Sequence, residues 1–267
     1  MPDIGGLFYE EHGPADGPPL ILSAGLGGSG AYWTPNLEAL AAAHRVILYD
    51  HRGTGRSDRA LPPEPTVDGM AGDVIALMDG LGLERATLVG HALGGAIGLD
   101  TALNAPGRLD RLVVINGFAK ADPHFRRCME IRLGLLHGSG VEAFVRAQPL
   151  FLYPARWISE NFERLEAQEA EHVAHFQGAD NVEARINALL AFDIEDRLGG
   201  IATPTLLIAA EDDMLVPDSC SERLLDGLPD ASLDVMLGGH ACNVSEPDEF
   251  ARILGAWLAG APDRGVQ

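Results

Sequence analysis

Gly90-His91-Ala92-Leu93-Gly94 lies between an apolar run, Ala86-Thr87-Leu88-Val89, and a glycine- and alanine-rich segment, residues 93–103. This is the spacing of a G-x-S-x-G turn, in which a strand ends, a strained turn exposes its central residue, and a helix begins. The flanking glycines let strand and helix pack closely. The central residue here is Ala92, however, and a methyl group cannot attack a carbonyl. The sequence offers the scaffold of a nucleophilic enzyme without the nucleophile.

Outward from that turn, apolar runs alternate with helical spacings. Residues 4–10, Pro19-Leu20-Ile21-Leu22-Ser23-Ala24, Arg45-Val46-Ile47-Leu48-Tyr49-Asp50, residues 86–89, Arg111-Leu112-Val113-Val114-Ile115-Asn116, Thr205-Leu206-Leu207-Ile208-Ala209-Ala210 and Leu233-Asp234-Val235-Met236-Leu237 read as strands. Val67, Met70, Val74, Leu77, Met78 and Leu81 form one apolar helical stripe. Other helices are expected from about Pro35, from Asp218 or Ser219 with Glu222 completing a capping box, and after Ser245 as cap. Strands alternating with helices predict a mostly parallel, doubly wound sheet.

Between residues 119 and 198 the strand signal vanishes, and helical spacing holds over 126–136, 141–147, 154–176 and 182–192. This predicts a helical lid, 119–198, inserted into an α/β core made of 1–118 and 199–267. The insert carries Phe144, Phe151, Tyr153, Trp157, Phe162 and Phe176, some of which should line a cleft beneath it. His172 and His175 share a helical face, but no third ligand lies nearby, so no metal is expected.

The chain has 267 residues, 46% hydrophobic, enough for one large domain, and a formal charge of −20 from 39 acidic against 19 basic residues. Such a charge repels phosphate backbones and anionic membrane surfaces, so neither nucleic acid nor membrane is an expected partner. No apolar run approaches the roughly 18 residues of a membrane span, and Met1-Pro2-Asp3-Ile4-Gly5 has no leader-like pattern, which points to the cytosol. Cys128, Cys220 and Cys242 are odd in number and lack C-x-x-C spacing, so they read as reduced thiols. A homodimer is compatible with the sequence but not fixed by it.

One rival reading concerns Gly25-Leu26-Gly27-Gly28-Ser29-Gly30, a literal G-x-G-x-x-G after a strand, with Asp50 at the end of the next. A dinucleotide would need a helix N-terminus within that loop, and helical spacing begins only near Pro35. No cofactor is therefore expected. Three strand ends instead supply, in chain order, Ala92, Asp213 and His240, the order nucleophile, acid, histidine. Asp213 is preferred to Asp212 because Asp-x-x-Val-Pro follows the strand directly. It would fix the tautomer of His240, which would act as general base. The backbone N–H groups of Leu26 and Leu93 occupy the places of an oxyanion hole. His91 should point away from the cleft.

The motifs Leu22-Ser23-Ala24-Gly25-Leu26-Gly27-Gly28-Ser29-Gly30-Ala31-Tyr32-Trp33, Tyr49-Asp50-His51-Arg52-Gly53-Thr54-Gly55, Gly90-His91-Ala92-Leu93-Gly94, Arg126-Arg127-Cys128, Gln148-Pro149-Leu150-Phe151-Leu152-Tyr153-Pro154, His175-Phe176-Gln177-Gly178 and Gly239-His240-Ala241-Cys242-Asn243-Val244 together resemble the RutD family of α/β-hydrolases. The likeness covers nearly the whole chain, insert included. It implies an α/β-hydrolase fold, an alanine normal to the turn, and a role in bacterial uracil degradation as a hydrolase of carbamate or aminoacrylate, both of which also decompose unaided. Within the insert, Tyr153, Trp157 and Gln177 are the candidate lid contacts to substrate. A nucleophile-free site can suit such a substrate, since serine hydrolases stripped of their triad keep roughly 10³- to 10⁴-fold over water. Two other readings remain open from sequence: a hydrolase fold retired to ligand binding, and an esterase carrying an engineered Ser→Ala at position 92.

Overall fold

A computed structural model describes residues 3–260. Its centre is an eight-stranded sheet formed by β1 (Asp3–Ile4), β2 (Leu7–His12), β3 (Pro19–Ser23), β4 (Arg45–Tyr49), β5 (Ala86–His91), β6 (Leu109–Ile115), β7 (Thr205–Ala210) and β8 (Ala231–Met236). The spatial order is β1-β2-β4-β3-β5-β6-β7-β8. Only the β1/β2 and β2/β4 pairings are antiparallel; every pairing from β4 through β8 is parallel.

Whereas β2 and β8, toward the sheet edges, are only partly buried, the runs that form β3 to β7 are largely buried, as parallel strands covered on both faces must be. Their period of two then divides the core between the faces. Ile21, Leu88, Leu112, Val114 and Leu207 join the cluster under α2 (Val67–Gly80) and α3 (Leu93–Asn104). Leu20, Leu22, Val89, Val113, Ile115, Leu206 and Ile208 join Trp33, Phe250 and Leu254 on the other face, beneath α1 (Thr34–Ala41) and α11 (Pro247–Leu258). The stripe on α2 is buried as its spacing requires. Thr66 caps it, accepting from Gly69 N at 3.0 Å.

Five helices fill the connection between β6 and β7: α4 (Pro123–Ser139), α5 (Val141–Leu152), α6 (Ala155–Glu160), α7 (Phe162–Ala174) and α8 (Ala179–Ala191). The ends of this excursion meet at an antiparallel bridge between Lys120 and Asp193, where Ile194 N donates to Ala119 O at 3.0 Å.

Several boundaries differ from expectation for local reasons. Residues 154–176 do not form one helix, because the chain breaks at Asn161, whose side chain donates to Trp157 O at 2.9 Å. A 3-10 turn, Gly30–Trp33, precedes α1 and is capped by Ser29. Asp218, not a Ser219–Glu222 box, caps α9 (Ser219–Gly227) through Ser219 N. Ser245 caps nothing: it closes a short helix, α10 (Cys242–Ser245), and its hydroxyl donates to Gly238 O at 2.7 Å, tying down the preceding loop.

Candidate active site

The turn between β5 and α3 places Ala92 at φ 49° and ψ −106°, a conformation that costs a non-glycine residue about 1–3 kcal/mol. The surrounding contacts impose it. Ala92 N donates to Ile115 O at 2.9 Å and Ala96 N returns to Ala92 O at 3.0 Å, so strand and helix both grip the same residue. A side chain at Gly90 would collide with the Gly94 carbonyl, and one at Gly94 with the backbone of Ser23. Both glycines are therefore obligatory. Leu93 begins α3, where the first N–H groups have no intrahelical partner and carry the positive end of the helix dipole.

Asp213 and His240 come from the loops after β7 and β8. His240 Nδ1 lies 2.7 Å from Asp213 Oδ2, with the two side chains 3% and 0% exposed. The other carboxylate oxygen accepts from Leu215 N at 2.7 Å and Val216 N at 2.9 Å, which fixes the acid's orientation. The carboxylate accepts, so Nδ1 carries the proton and Nε2 keeps its lone pair. Among the described residues no protein group bonds to that Nε2. Asp212 serves the same loop differently, accepting from Gly238 N at 3.0 Å and Gly239 N at 2.8 Å.

His91 points into the protein and is buried. Its Nε2 lies 2.8 Å from the His240 carbonyl, which can only accept. The proton is thus on Nε2, and Nδ1, facing Gly25, has no partner. Burial, then the neighbouring His240, holds the ring's pKa well below its ordinary value, so it is a neutral prop. It stacks on Tyr32 with ring centroids 4.9 Å apart. Tyr32 in turn donates to Asn243 Oδ1 at 2.7 Å, three residues beyond His240.

Two residues not singled out from sequence complete the frame. Asn116, at φ 48°, ends β6. Its Nδ2 donates to His240 O at 2.8 Å and Gly239 O at 3.2 Å, while its Oδ1 accepts from Ala210 N at 2.8 Å. Three strand ends are so joined through one side chain. Arg185, fully buried on α8, reaches out of the insert to donate to Leu26 O at 3.2 Å and Arg52 O at 3.3 Å. It also meets His51 Nδ1 at 2.9 Å. Since a guanidinium only donates, His51 Nδ1 accepts and Nε2–H faces Ser23 Oγ at 3.2 Å, which continues to Tyr49 OH at 2.7 Å. Leu26, half-buried, thus has its carbonyl held from the insert, while its N–H donates to no protein group among the described residues.

The insert approaches His240 along one segment. Leu152 O accepts from Ala241 N at 2.9 Å, and Gly239 abuts Leu152 and Pro154. Tyr153 follows directly and stacks on Trp157 with centroids 4.1 Å apart. Gln177 lies in the turn between α7 and α8, its Oε1 buried without a partner, and no hydrogen bond links it to the His240–Asp213 pair. Phe144 and Phe176 pack edge to face on each other, and Phe162 is exposed. His172 and His175 are exposed, away from this site, and no metal-holding cluster occurs among the described residues.

The glycine-rich loop has a structural account that leaves nothing for a dinucleotide. Asp50, 1% exposed, accepts from Gly30 N at 2.8 Å, Arg56 N at 2.8 Å and Arg56 Nε at 3.0 Å. An acid so occupied cannot receive a ribose.

The turn follows β5, the acid β7 and the histidine β8. The α/β hydrolase fold family model matches residues 18–141. A relative from Caulobacter sp. strain K31 is 53% identical over 260 residues, 96% of this chain and 97% of its own, and one from Agrobacterium fabrum strain C58 is 53% identical over 91% and 95%. Both are named RutD, with carbamate hydrolysis as their proposed activity. The chain belongs to the RutD family of α/β-hydrolases. It is a hydrolase by that membership. Among solved structures it is similar to the enol-lactonase from Burkholderia xenovorans LB400 (TM-score 0.86, 25% identity, 96% and 98% of the two chains). A hydrolase from Pseudomonas aeruginosa PA01 is also similar (TM-score 0.83, 29% identity, 94% of each). No helix among the described residues is long and apolar enough to cross a membrane.

Proposed function

We propose that the protein hydrolyses a small, labile carbamate, or the comparably labile aminoacrylate, in pyrimidine breakdown, using water in place of a serine nucleophile. One observation carries this reading: the His240–Asp213 pair is intact and aligned at 2.7 Å beside a turn whose central residue is alanine. The base is present, and only the group it would ordinarily activate is missing.

In the proposed reaction a water occupies the space a serine hydroxyl would fill. His240 Nε2 takes its proton, Asp213 steadies the resulting imidazolium, and the hydroxide adds to the carbamate carbon. Charge gathering on oxygen is met by the N–H groups of Leu93 and Leu26. The imidazolium returns its proton to nitrogen as the C–N bond breaks, so that carbamate and water give ammonia and bicarbonate. The insert, residues 119–198, serves as the lid, with the stacked Tyr153 and Trp157, which follow Leu152 in the chain, as its aromatic contribution. General-base help of about 10²- to 10⁴-fold is useless on a peptide bond but sufficient for a bond that already breaks unaided.

The test is ammonia release from fresh carbamate, read above the spontaneous rate. His240→Ala should lose about 10²-fold or more of the acceleration. If His240→Ala accelerates release as well as the parent protein, the water mechanism is wrong.

A further inference from the structure

Arg132, on α4, is 5% exposed, and its immediate surroundings offer it almost nothing. Nε is buried without a partner, and Nη1 has only the Met129 thioether at 3.7 Å. Among the described residues no carboxylate lies within 4.0 Å of the group, and no oxygen accepts from it. What surrounds it is apolar: the guanidinium carbon lies 5.1 Å from the Phe144 ring centre and 5.7 Å from that of Phe151. Burial lowers the group's pKa only to about 10, so it is charged at neutral pH.

A buried, unpaired cation of this kind costs several kcal/mol. Two ring faces at such distances return only part of that. Arg185, the other fully buried arginine without a carboxylate, differs, because two carbonyls and His51 accept from it. Nothing comparable satisfies Arg132, whose donors, apart from the one directed at Met129 Sδ, remain available to something the chain does not contain.

The position of the guanidinium indicates what that is. One helical turn earlier, Cys128 Sγ lies 3.9 Å from Met214 O, the residue after Asp213. On its other side, Phe151 precedes Leu152, whose carbonyl receives Ala241 N–H beside His240. Arg132 therefore sits between the segments that wrap the acid loop and the histidine loop. We propose that Arg132 is a binding residue for the planar –COO⁻ group of the substrate, held through the parallel donors of the guanidinium against a wall formed by Phe144, Phe151 and Met129. The fork geometry matches two-oxygen anions, and the dry, apolar wall strengthens the pairing. The site also answers a difficulty raised by composition: a chain of formal charge −20 repels anions at long range, so an anionic substrate needs a local cation to hold it.

Identifying the anion as substrate rests on the proposed function, but the anion site can be read without turnover. Formate and acetate serve as unreactive probes, with acetamide as the uncharged control, in calorimetric titration of the parent protein, Arg132→Met and Arg132→Lys. The parent should bind formate and acetate but not acetamide. Arg132→Met should bind them at least 30-fold more weakly, and its anion-free Tm should equal or exceed the parent's, because an uncompensated charge has been removed. Arg132→Lys, which keeps the charge without the fork, should fall between them and should raise KM more than it lowers kcat. The KM rise on carbamate or on aminoacrylate identifies which of the two –COO⁻ groups is held. No formate or acetate binding by the parent, or parent-like binding with a lowered Tm in Arg132→Met, would overturn the proposal. If Arg132→Met does not fold, parent-like affinity and KM in Arg132→Lys overturn it equally. Loss of anion binding in a protein that releases no ammonia would leave the anion site standing and the hydrolytic reading refuted.

Discussion

Replacing Asp213 by Asn isolates the acid's contribution with little damage to its loop. The oxygen that accepts from Leu215 N and Val216 N at 2.7 and 2.9 Å can remain where it is in Asn. The amide nitrogen must then face His240 Nδ1, where Asp213 Oδ2 stood at 2.7 Å. An amide N–H only donates, so Nδ1 must become the acceptor and the ring proton must move to Nε2. The imidazole then presents a proton to water where it should present a lone pair. Two routes give the size of the loss. General-base catalysis is worth about 10²- to 10⁴-fold, or about 3–5 kcal/mol at 1.36 kcal/mol per decade. Independently, a carboxylate facing an imidazolium at ~4 Å in an effective dielectric near 20 is worth about 4 kcal/mol. Both place the loss of enzymatic acceleration near 10³-fold. The stability cost should be about 1 kcal/mol, one hydrogen bond's net worth, or ~2–4 °C in Tm. The assay is coupled ammonia detection on freshly dissolved carbamate, at a pH where spontaneous release is slow, with the no-protein rate subtracted and Tm measured in parallel. An Asp213→Asn protein that keeps its Tm and works within about threefold of the parent would refute the assignment of Asp213 and His240.

Three further outcomes are expected. Ala92→Ser should place a hydroxyl where water is needed and lower carbamate turnover by about 10- to 100-fold, with no acyl-enzyme burst on p-nitrophenyl acetate; a burst would show that the site retains complete ester-hydrolase machinery and that alanine is not matched to water. Asn116→Ala should cost about 3 kcal/mol, ~6–12 °C in Tm by calorimetry, because Ala210 N–H and two loop carbonyls lose their partner and alanine inherits φ 48°; a fall below 2 °C would mean that the joint between strand ends carries little, and Asn116→Gly separates the backbone part from the hydrogen bonds. Burial first of all pushes the Cys220 thiol up to about 11 and Cys242 to about 12. Both are protonated in the folded chain at pH 8 and should resist thiol reagents until it unfolds. As pH rises above 9 the unfolded thiols ionise before the folded ones, so stability should fall between pH 9 and 12 by up to about 1.4 kcal/mol per unit per thiol; rapid labelling of Cys242 in the folded protein at pH 8 would contradict this.

The central strands were legible because a strand buried on both faces must be a continuous apolar run, and Thr205–Ala210 has the same limits in sequence and structure. The strained turn and Asp213 were legible for a related reason, since the turn follows β5 directly and Asp213 stands just past β7, whereas His240 stood out through the Gly238-Gly239 pair after the half-buried β8. Of the two caps offered for α9, Asp218 is the one that forms, and the cap assignment at Ser245 failed because its hydroxyl found Gly238 O in place of a helix end. The break at Asn161 was hidden because helical spacing continues unbroken on either side of it. Asn116, Arg132 and Arg185 escaped notice because their meaning lies in partners, or in missing partners, that folding alone supplies. Leu26 is 159 residues from Arg185, a separation no periodicity reports. A polar residue closing a strand, as Asn116 does, was the one available sign.

The reach of Arg185 into the core limits how this fold can diversify. The excursion between β6 and β7 leaves and re-enters through one bridge, so geometrically another helical cap could be spliced in at the same two points. Yet the guanidinium that pins Leu26 O, Arg52 O and His51 belongs to the cap. A foreign cap without an equivalent cation would strand two carbonyls and an imidazole lone pair in the interior and release the loop that carries Leu26. In this lineage cap and loop are therefore expected to be inherited as one piece, and a chimera that changes the cap must carry position 185 with it.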